Sequence, residues 1–479
     1  MKRAVLTATC GLLSLLLSAT AYAELRAGAA AVDVSPQELP VNLPGGFSNN
    51  IANEIHDSLF SRCLVLDDGT SKVALVVVDN LGVAPEVCEA AKQQAAAATD
   101  IPIERMMISS THTHSAPASN VTEGAAEAKA YRPLLTNGIA RSIIEAHAKL
   151  QPASLAVTKT ELPDEVFNRR WYLKPGKMTP NPFGQMDIVR MNPPRRPDVL
   201  DRPAGPTDPE ITVINVRRAN GRPLSLFANY SLHYVGGVPR GVVSADYYGI
   251  FAELIPNRLR GDSDFVAMMS NGTSGDINNI PFGVTRPPRA SFEQMQIVAQ
   301  KAADAVWFAL TQSDSEFDYS RDVKLAMNQR DITLEHRKVP PELLERARRI
   351  ATLTDEKEIA KLPRLAQAYA NRTIALSELP PTVSVRLQAI RIGDLAICCI
   401  PFETFVEIGL ELKSESPFPQ TMVVGLANGR YGYLPTPEHH RLGGYETWLG
   451  TNKVQKDASV IIVRHLREML DELHDKSTE

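Results

Sequence analysis

The feature that most constrains this chain is a repeated change of period. Apolar runs short enough for strands alternate with longer stretches of helical spacing, and the runs stop abruptly at polar residues. Residues 72–78 form a continuous apolar run after the turn Asp67-Asp68-Gly69 and read as a buried strand. Residues 85–98 are Ala-rich and helical, and 106–109 make a second buried strand that runs into Ser110-Thr111-His112-Thr113-His114. The pattern recurs downstream, with strands at 211–216, 224–230 and 265–269 and helices at 246–259 and 291–312. Residues 383–391 and 395–400 read as a hairpin turning at Gly393-Asp394, and 458–473 as a terminal helix. A helical appendage is expected at 340–379, broken near Pro363. Such alternation predicts an α/β fold, one large domain over residues 24–479 with mixed β-sheets flanked by helices. Residues 166–209, rich in Pro, Asn and Arg, show no periodicity; so long an irregular stretch in a compact protein is usually functional.

The first 23 residues are of another kind. Lys2 and Arg3 precede an apolar run over 4–17, and Ala21-Tyr22-Ala23 has the small-x-small pattern of a cleavage site. This predicts a signal peptide over 1–23 and a periplasmic or secreted protein. The run is short for a membrane span, and no later stretch is long enough. Cleavage takes the formal charge from −4 to −6. No basic tract or basic–aromatic face is present, which argues against a nucleic-acid partner. Cys63, Cys88, Cys398 and Cys399 remain, without a CxxC pair. Cys398 and Cys399 are adjacent inside an apolar run, so they read as packed thiols, and no disulfide framework is expected.

Among ten histidines, three stand out by context. His112 and His114 follow an apolar strand two residues apart, a spacing that puts both side chains on one face if the strand continues. His233 follows the strand at 224–230. Glu403 sits in Ile400-Pro401-Phe402-Glu403-Thr404-Phe405, directly after the run at 395–400. A carboxylate there is costly to bury unless it is paired with a cation or a metal. Strand ends converge where α/β folds place ligands, and two histidines with a glutamate are the ligand set of many hydrolytic zinc sites.

Ser110-Thr111-His112-Thr113-His114-Ser115-Ala116-Pro117 resembles the Thr-His-Thr-His-Ser-Gly-Pro segment of the neutral/alkaline ceramidase family. Further likenesses are Ile55-His56-Asp57-Ser58-Leu59, Phe167-Asn168-Arg169, Ser244-Ala245-Asp246, Ser274-Gly275-Asp276, Pro401-Phe402-Glu403, Tyr431-Gly432-Tyr433 and Gly444-Tyr445-Glu446. They keep family order from about residue 28 to residue 450. The resemblance implies a zinc ion bound by His112, His233, Glu403 and Tyr433. It also implies that His114, Arg169 and Tyr445 sit beside the substrate and stabilise a developing oxyanion. Arg170, next in the chain, reads as a surface cation. Family ceramidases carry a serine in Gly-Asp-x-Ser-Pro-Asn; this chain reads Gly275-Asp276-Ile277-Asn278-Asn279, so Asn278 stands at that position and offers a hydrogen bond rather than a nucleophile. Ser274 lies nearby without the spacing of a nucleophile elbow. Family members typically continue into an immunoglobulin-like C-terminal domain; with the terminal helix read at 458–473, no such domain is expected here.

The expected activity is therefore zinc-dependent hydrolysis of an amide (N-acyl) bond by attack of water, with His114 and Asp276 as candidates for the general acid. The expected partner is a small acyl or lipid-like substrate, and such a substrate leaves peripheral contact with a membrane open. The same residues admit an esterase or lactonase acting on a non-sphingolipid substrate. A reading from a different class is a non-catalytic exported binding protein on the same fold.

Overall fold

The computed structural model describes residues 24–46, 50–119, 125–311 and 318–475; the expected signal peptide lies outside them. Two β-sheets pack face to face. The larger has eight strands, in spatial order Val266–Asn271, Pro223–Tyr230, Glu210–Arg218, Gln151–Glu161, Arg26–Asp33, Phe60–Asp67, Lys72–Val78 and Met106–Ser110. Only its two outermost pairs are parallel; the pairs between are antiparallel. The smaller sheet runs Leu325–Glu335, Thr382–Ile392, Leu395–Ile400 and Gln420–Gly425, again with a parallel pair at one edge. Their facing sides share one apolar core, where Leu75, Met107, Phe227 and Met268 meet Ile390, Ile397, Met422 and Val424. Helices close both outer faces. Pro85–Ala98, Ala125–Ala148, Asp246–Leu259 and Glu293–Thr311 cover the large sheet, and Val406–Ser414 and Ala458–Asp475 cover the small one. The result is a helix–sheet–sheet–helix stack, the α/β architecture expected from the alternation. No helix among the described residues is long and apolar enough to cross a membrane.

Most expected elements form within one or two residues of their predicted bounds, and the hairpin turns at Gly393, whose φ of +61° suits glycine. Two outcomes differ from expectation. Residues 166–209 are not irregular throughout, since Arg170–Leu173 pairs with Val189–Met191 and Leu200–Pro203, and Phe167–Asn168 pairs with Ile277–Asn278. Strands of three or four residues are too short to show a period. Several elements are not announced by the sequence, above all the central strand Arg26–Asp33 and the helix Ala125–Ala148. That strand is rich in Ala and Gly because the helix lies close against it: a Cβ at Gly28 would run into the Ala146 carbonyl. The close fit demands small residues, which carry no strand signature.

The expected appendage comprises Pro341–Ala351, Glu356–Ile359 and Ala366–Ser377, interrupted around Pro363. It is docked rather than pendent. Tyr369 is fully buried, its hydroxyl lies 2.5 Å from Thr451 Oγ1, and its ring meets Trp448.

Candidate active site

The parallel pairs aim their carboxyl ends at one place. Met106–Ser110 leads to His112, Pro223–Tyr230 to His233, and Val266–Asn271 to Ser274. Leu395–Ile400 leads to Glu403, and Gln420–Gly425 to Tyr433. The two sheets are stitched together at this end. Ser109 bridges to Ala427, Asn428 N–H donates to Ile108 O (2.6 Å), and Gly275 N–H donates to Thr404 O (2.8 Å). Gly275 permits that last approach, because a Cβ there would lie 2.6 Å from Glu403 O. A short parallel pairing, Glu403 opposite Tyr433, completes the wall.

His112 and His114 do meet, though not as neighbours on a strand face. The strand ends at Ser110, and His112 adopts φ +72°, a left-handed conformation that costs a β-carbon-bearing residue about 1–3 kcal/mol unless its surroundings enforce it. Here they do: His112 N–H donates to Asn80 O (2.9 Å) and its Nδ1 to Leu81 O (2.6 Å). His114 Nδ1 donates to Gly45 O, and His233 Nδ1 to Ser274 O (3.0 Å). A carbonyl oxygen only accepts, so each ring carries a proton on Nδ1, and in the neutral ring this leaves the Nε2 lone pair free. One ligand nitrogen from each of His112, His114 and His233 lies within 4.8 Å of the others. His112 Nε2 is 3.2 Å from His114 Nε2 and 3.3 Å from Glu403 Oε2, and Glu403 Oε2 is buried without a hydrogen-bond donor. Burial, then repulsion from His112, holds His114 well below the ordinary histidine range; burial, Arg169 and the other two rings do the same for His233. Burial opposes the Glu403 carboxylate, but His112, Arg430 and His233 outweigh it and hold the group well below its usual range. His114 and His233 are thus held neutral and Glu403 ionised, the protonation states that metal binding requires. Three imidazoles and a carboxylate that meet in this way are a ligand set that fits a cation.

Tyr433, Arg169 and Tyr445 line the same place. Arg169 Nη2 donates to Tyr433 OH (3.1 Å) and to Gly275 O (2.6 Å), and its guanidinium lies over the Tyr433 ring. Burial, then Glu403, pushes the Tyr433 phenol well above its ordinary range. Half-buried Tyr445 sits between Tyr433 and Trp448, with ring centroids 5.6 and 5.9 Å away.

Two expected residues have other partners. Asp276 is fully buried, with its carboxylate accepting from Val406 N–H (3.0 Å) and Asn168 Nδ2 (2.8 Å). It belongs to a second cluster with Glu407 and His439. Asn278 donates from Nδ2 to Asn192 Oδ1 (2.7 Å) and accepts Ile280 N–H at Oδ1 (2.9 Å), so both ends of its amide are engaged within the protein. Arg170 is not a surface cation. It is 1 % exposed, bonded to Glu446 and to Gly443 O. The sequence marked Glu446 only as part of the Gly444-Tyr445-Glu446 likeness and gave it no role, although the doubled Arg169-Arg170 left two cations in need of a carboxylate.

Residues 26–285, more than half of the 479, match the family model described as neutral/alkaline non-lysosomal ceramidase, N-terminal. Glu403, Tyr433 and Tyr445 lie beyond the matched range. Two solved structures share the fold, each with a TM-score of 0.71 at 17 % identity over 95 % of this chain: the neutral ceramidase of Pseudomonas aeruginosa, of which 75 % is covered, and a ceramidase complexed with C2, of which 76 % is covered. On the family match, the chain belongs to the neutral/alkaline non-lysosomal ceramidases and is a ceramidase-like hydrolase.

Proposed function

We propose that the protein is an exported zinc-dependent amidohydrolase that cleaves the N-acyl bond of a ceramide-like lipid. One observation carries the metal: ring nitrogens of His112, His114 and His233 lie within 4.8 Å of one another, beside a buried Glu403 Oε2 that has no hydrogen-bond partner. Zinc suits nitrogen and carboxylate ligands of this kind. His112, His233, Glu403 and Tyr433 would hold it. When bound, zinc supplies Lewis acidity for the substrate carbonyl and a nucleophile from water at neutral pH.

The protein's own groups then have distinct parts. The His114 tautomer, fixed by Gly45, leaves Nε2 able to accept a proton but not to donate one. His114 therefore takes the proton of the attacking water and delivers it to the leaving nitrogen, rather than serving as an oxyanion donor from the start. Arg169 and Tyr445 donate to the carbonyl oxygen as it becomes negative. Asp276, engaged elsewhere, takes no part in proton transfer. Ser274 lacks a base: its Oγ is 3.3 Å from His233 Nδ1, but that nitrogen already carries the proton it donates to Ser274 O. Export rests on the sequence of residues 1–23. Periplasmic or secreted protein should begin at Glu24 by mass spectrometry.

The test is hydrolysis of a short-chain N-acylsphingosine by the mature protein before chelation, after chelation, and after zinc is restored. Turnover that disappears with the metal, returns with zinc, and survives Ser274→Ala is expected. Chelator-resistant turnover through an acyl-enzyme on Ser274 would overturn the reading.

A further inference from the structure

Arg169 is useful only if its guanidinium is already in place when charge develops on the substrate, because electrostatic stabilisation is effective when the donor needs no reorganisation. A long side chain does not hold itself. The Glu446 carboxylate, fully buried, binds two guanidiniums at once, Arg169 Nε to Oε1 at 3.0 Å and Arg170 Nη1 to Oε2 at 2.8 Å. Arg170 is in turn fixed by Gly443 O (2.7 Å) and lies over the Phe405 ring. The turn that presents Glu446 is shaped for this contact. Gly444 has φ +96°, and a Cβ on it would lie 2.9 Å from Arg170 Nη1. Arg169 Nη2 is spent on Gly275 O and Tyr433 OH, while Nη1 is committed to none of the described residues. An Arg bound at Nε and Nη2 presents its remaining donors in one fixed direction.

We propose that Glu446 is a positioning residue of the active site. Its carboxylate clamps Arg169 and Arg170 together and leaves the free Arg169 nitrogen preset to hydrogen-bond the substrate carbonyl oxygen. Arg170 is a brace, not a participant. The role rests on the hydrolase reading above, but the clamp itself can be tested without substrate. Carboxylates that orient a site's working groups are typically worth 10–100-fold in activity.

The experiment uses the mature protein with selectively ¹⁵N-labelled arginine, together with Glu446→Gln, Glu446→Asp, Arg169→Ala and the double variant Arg169→Ala/Glu446→Gln. In the unsubstituted protein, the Arg169 Nε–H should exchange slowly with solvent, and Glu446→Gln should abolish that protection; protection that persists overturns the clamp. Glu446→Gln should lower kcat about 10–100-fold with KM and metal content little changed, Glu446→Asp should recover part of the loss, and adding Glu446→Gln to Arg169→Ala should cost less than about twofold more. Multiplicative losses would mean that Glu446 does not act through Arg169. Added guanidinium should partly rescue Arg169→Ala but not the double variant. Equal rescue of both overturns the proposal even if Glu446→Gln proves too unstable to assay. Absence of hydrolysis in every form, with protection lost in Glu446→Gln, would refute the hydrolase reading and leave the clamp standing.

Discussion

Among the described residues lie two clusters of metal-ligand side chains, and by composition they look alike: His112, His114 and His233 with Glu403, and His439 with Asp276 and Glu407. They differ in who supplies the protons. In the first, every Nδ1 proton is spent on a carbonyl, and Glu403 Oε2 lies buried beside His112 Nε2 without a hydrogen-bond partner. In the second, Asp276 accepts from Val406 N–H and Asn168, and His439 pairs with Glu407 Oε1 (3.2 Å) and the Thr436 hydroxyl. One orphan, Glu407 Oε2, remains there. Ligand residue types in proximity are a weak sign of a metal; unsatisfied acceptors facing one another are a strong one, because buried polar groups otherwise find partners. The first cluster is built to receive a cation, whereas the second is largely neutralised by the protein's own donors.

The comparison breaks most visibly if the first cluster is opened. His112→Ala or His233→Ala should remove nearly all bound metal and with it hydrolysis, since too few ligands remain; metal retained at the level of the unsubstituted protein in both variants would refute the assignment. A smaller effect is expected from His114→Ala, which should keep the metal but lose about 10²–10⁴-fold in kcat, the usual worth of a general acid–base group. If metal is lost in step with activity, His114 is a ligand instead. The smallest effect belongs to the second cluster. Burial, then Glu407, pushes Asp276 well above the usual carboxylate range. A carboxyl raised on folding contributes stability that is fully present below its unfolded pKa and lost as pH rises through the folded one. Glu407→Gln relieves part of that rise, so thermal melts should show a gain on the order of 1 °C at pH 8, a smaller one at pH 5, and unchanged metal content. A drop in metal content would erase the distinction between the two clusters.

Legibility in the sequence followed the physics of each residue. Elements with a strong apolar signature were readable, such as the strand Lys72–Val78, buried on both faces, and the helix Asp246–Leu259. The Ala-rich strand Arg26–Asp33 was not, because its small residues answer to the helix beside it rather than to any strand preference. His112, His233 and Glu403 could be singled out because each follows an apolar strand, and chain ends of strands are where such folds gather ligands. Tyr433, Arg169 and Tyr445 came only through resemblance, since an isolated aromatic or Arg has many uses. Spacing pointed to one face for His112 and His114; the actual reason is a left-handed turn at His112 that no periodicity encodes. Glu446 and the docking of Tyr369 against Thr451 were invisible for a common reason, their partners being far away in sequence.

The most direct test is a crystal of the mature protein grown with zinc and measured on both sides of the zinc absorption edge. One strong anomalous peak per chain is expected within bonding distance of His112 Nε2, His233 and Glu403, and none at Asp276, Glu407 and His439. A peak at the second cluster alone, or no ordered zinc between His112 and Glu403, would contradict it.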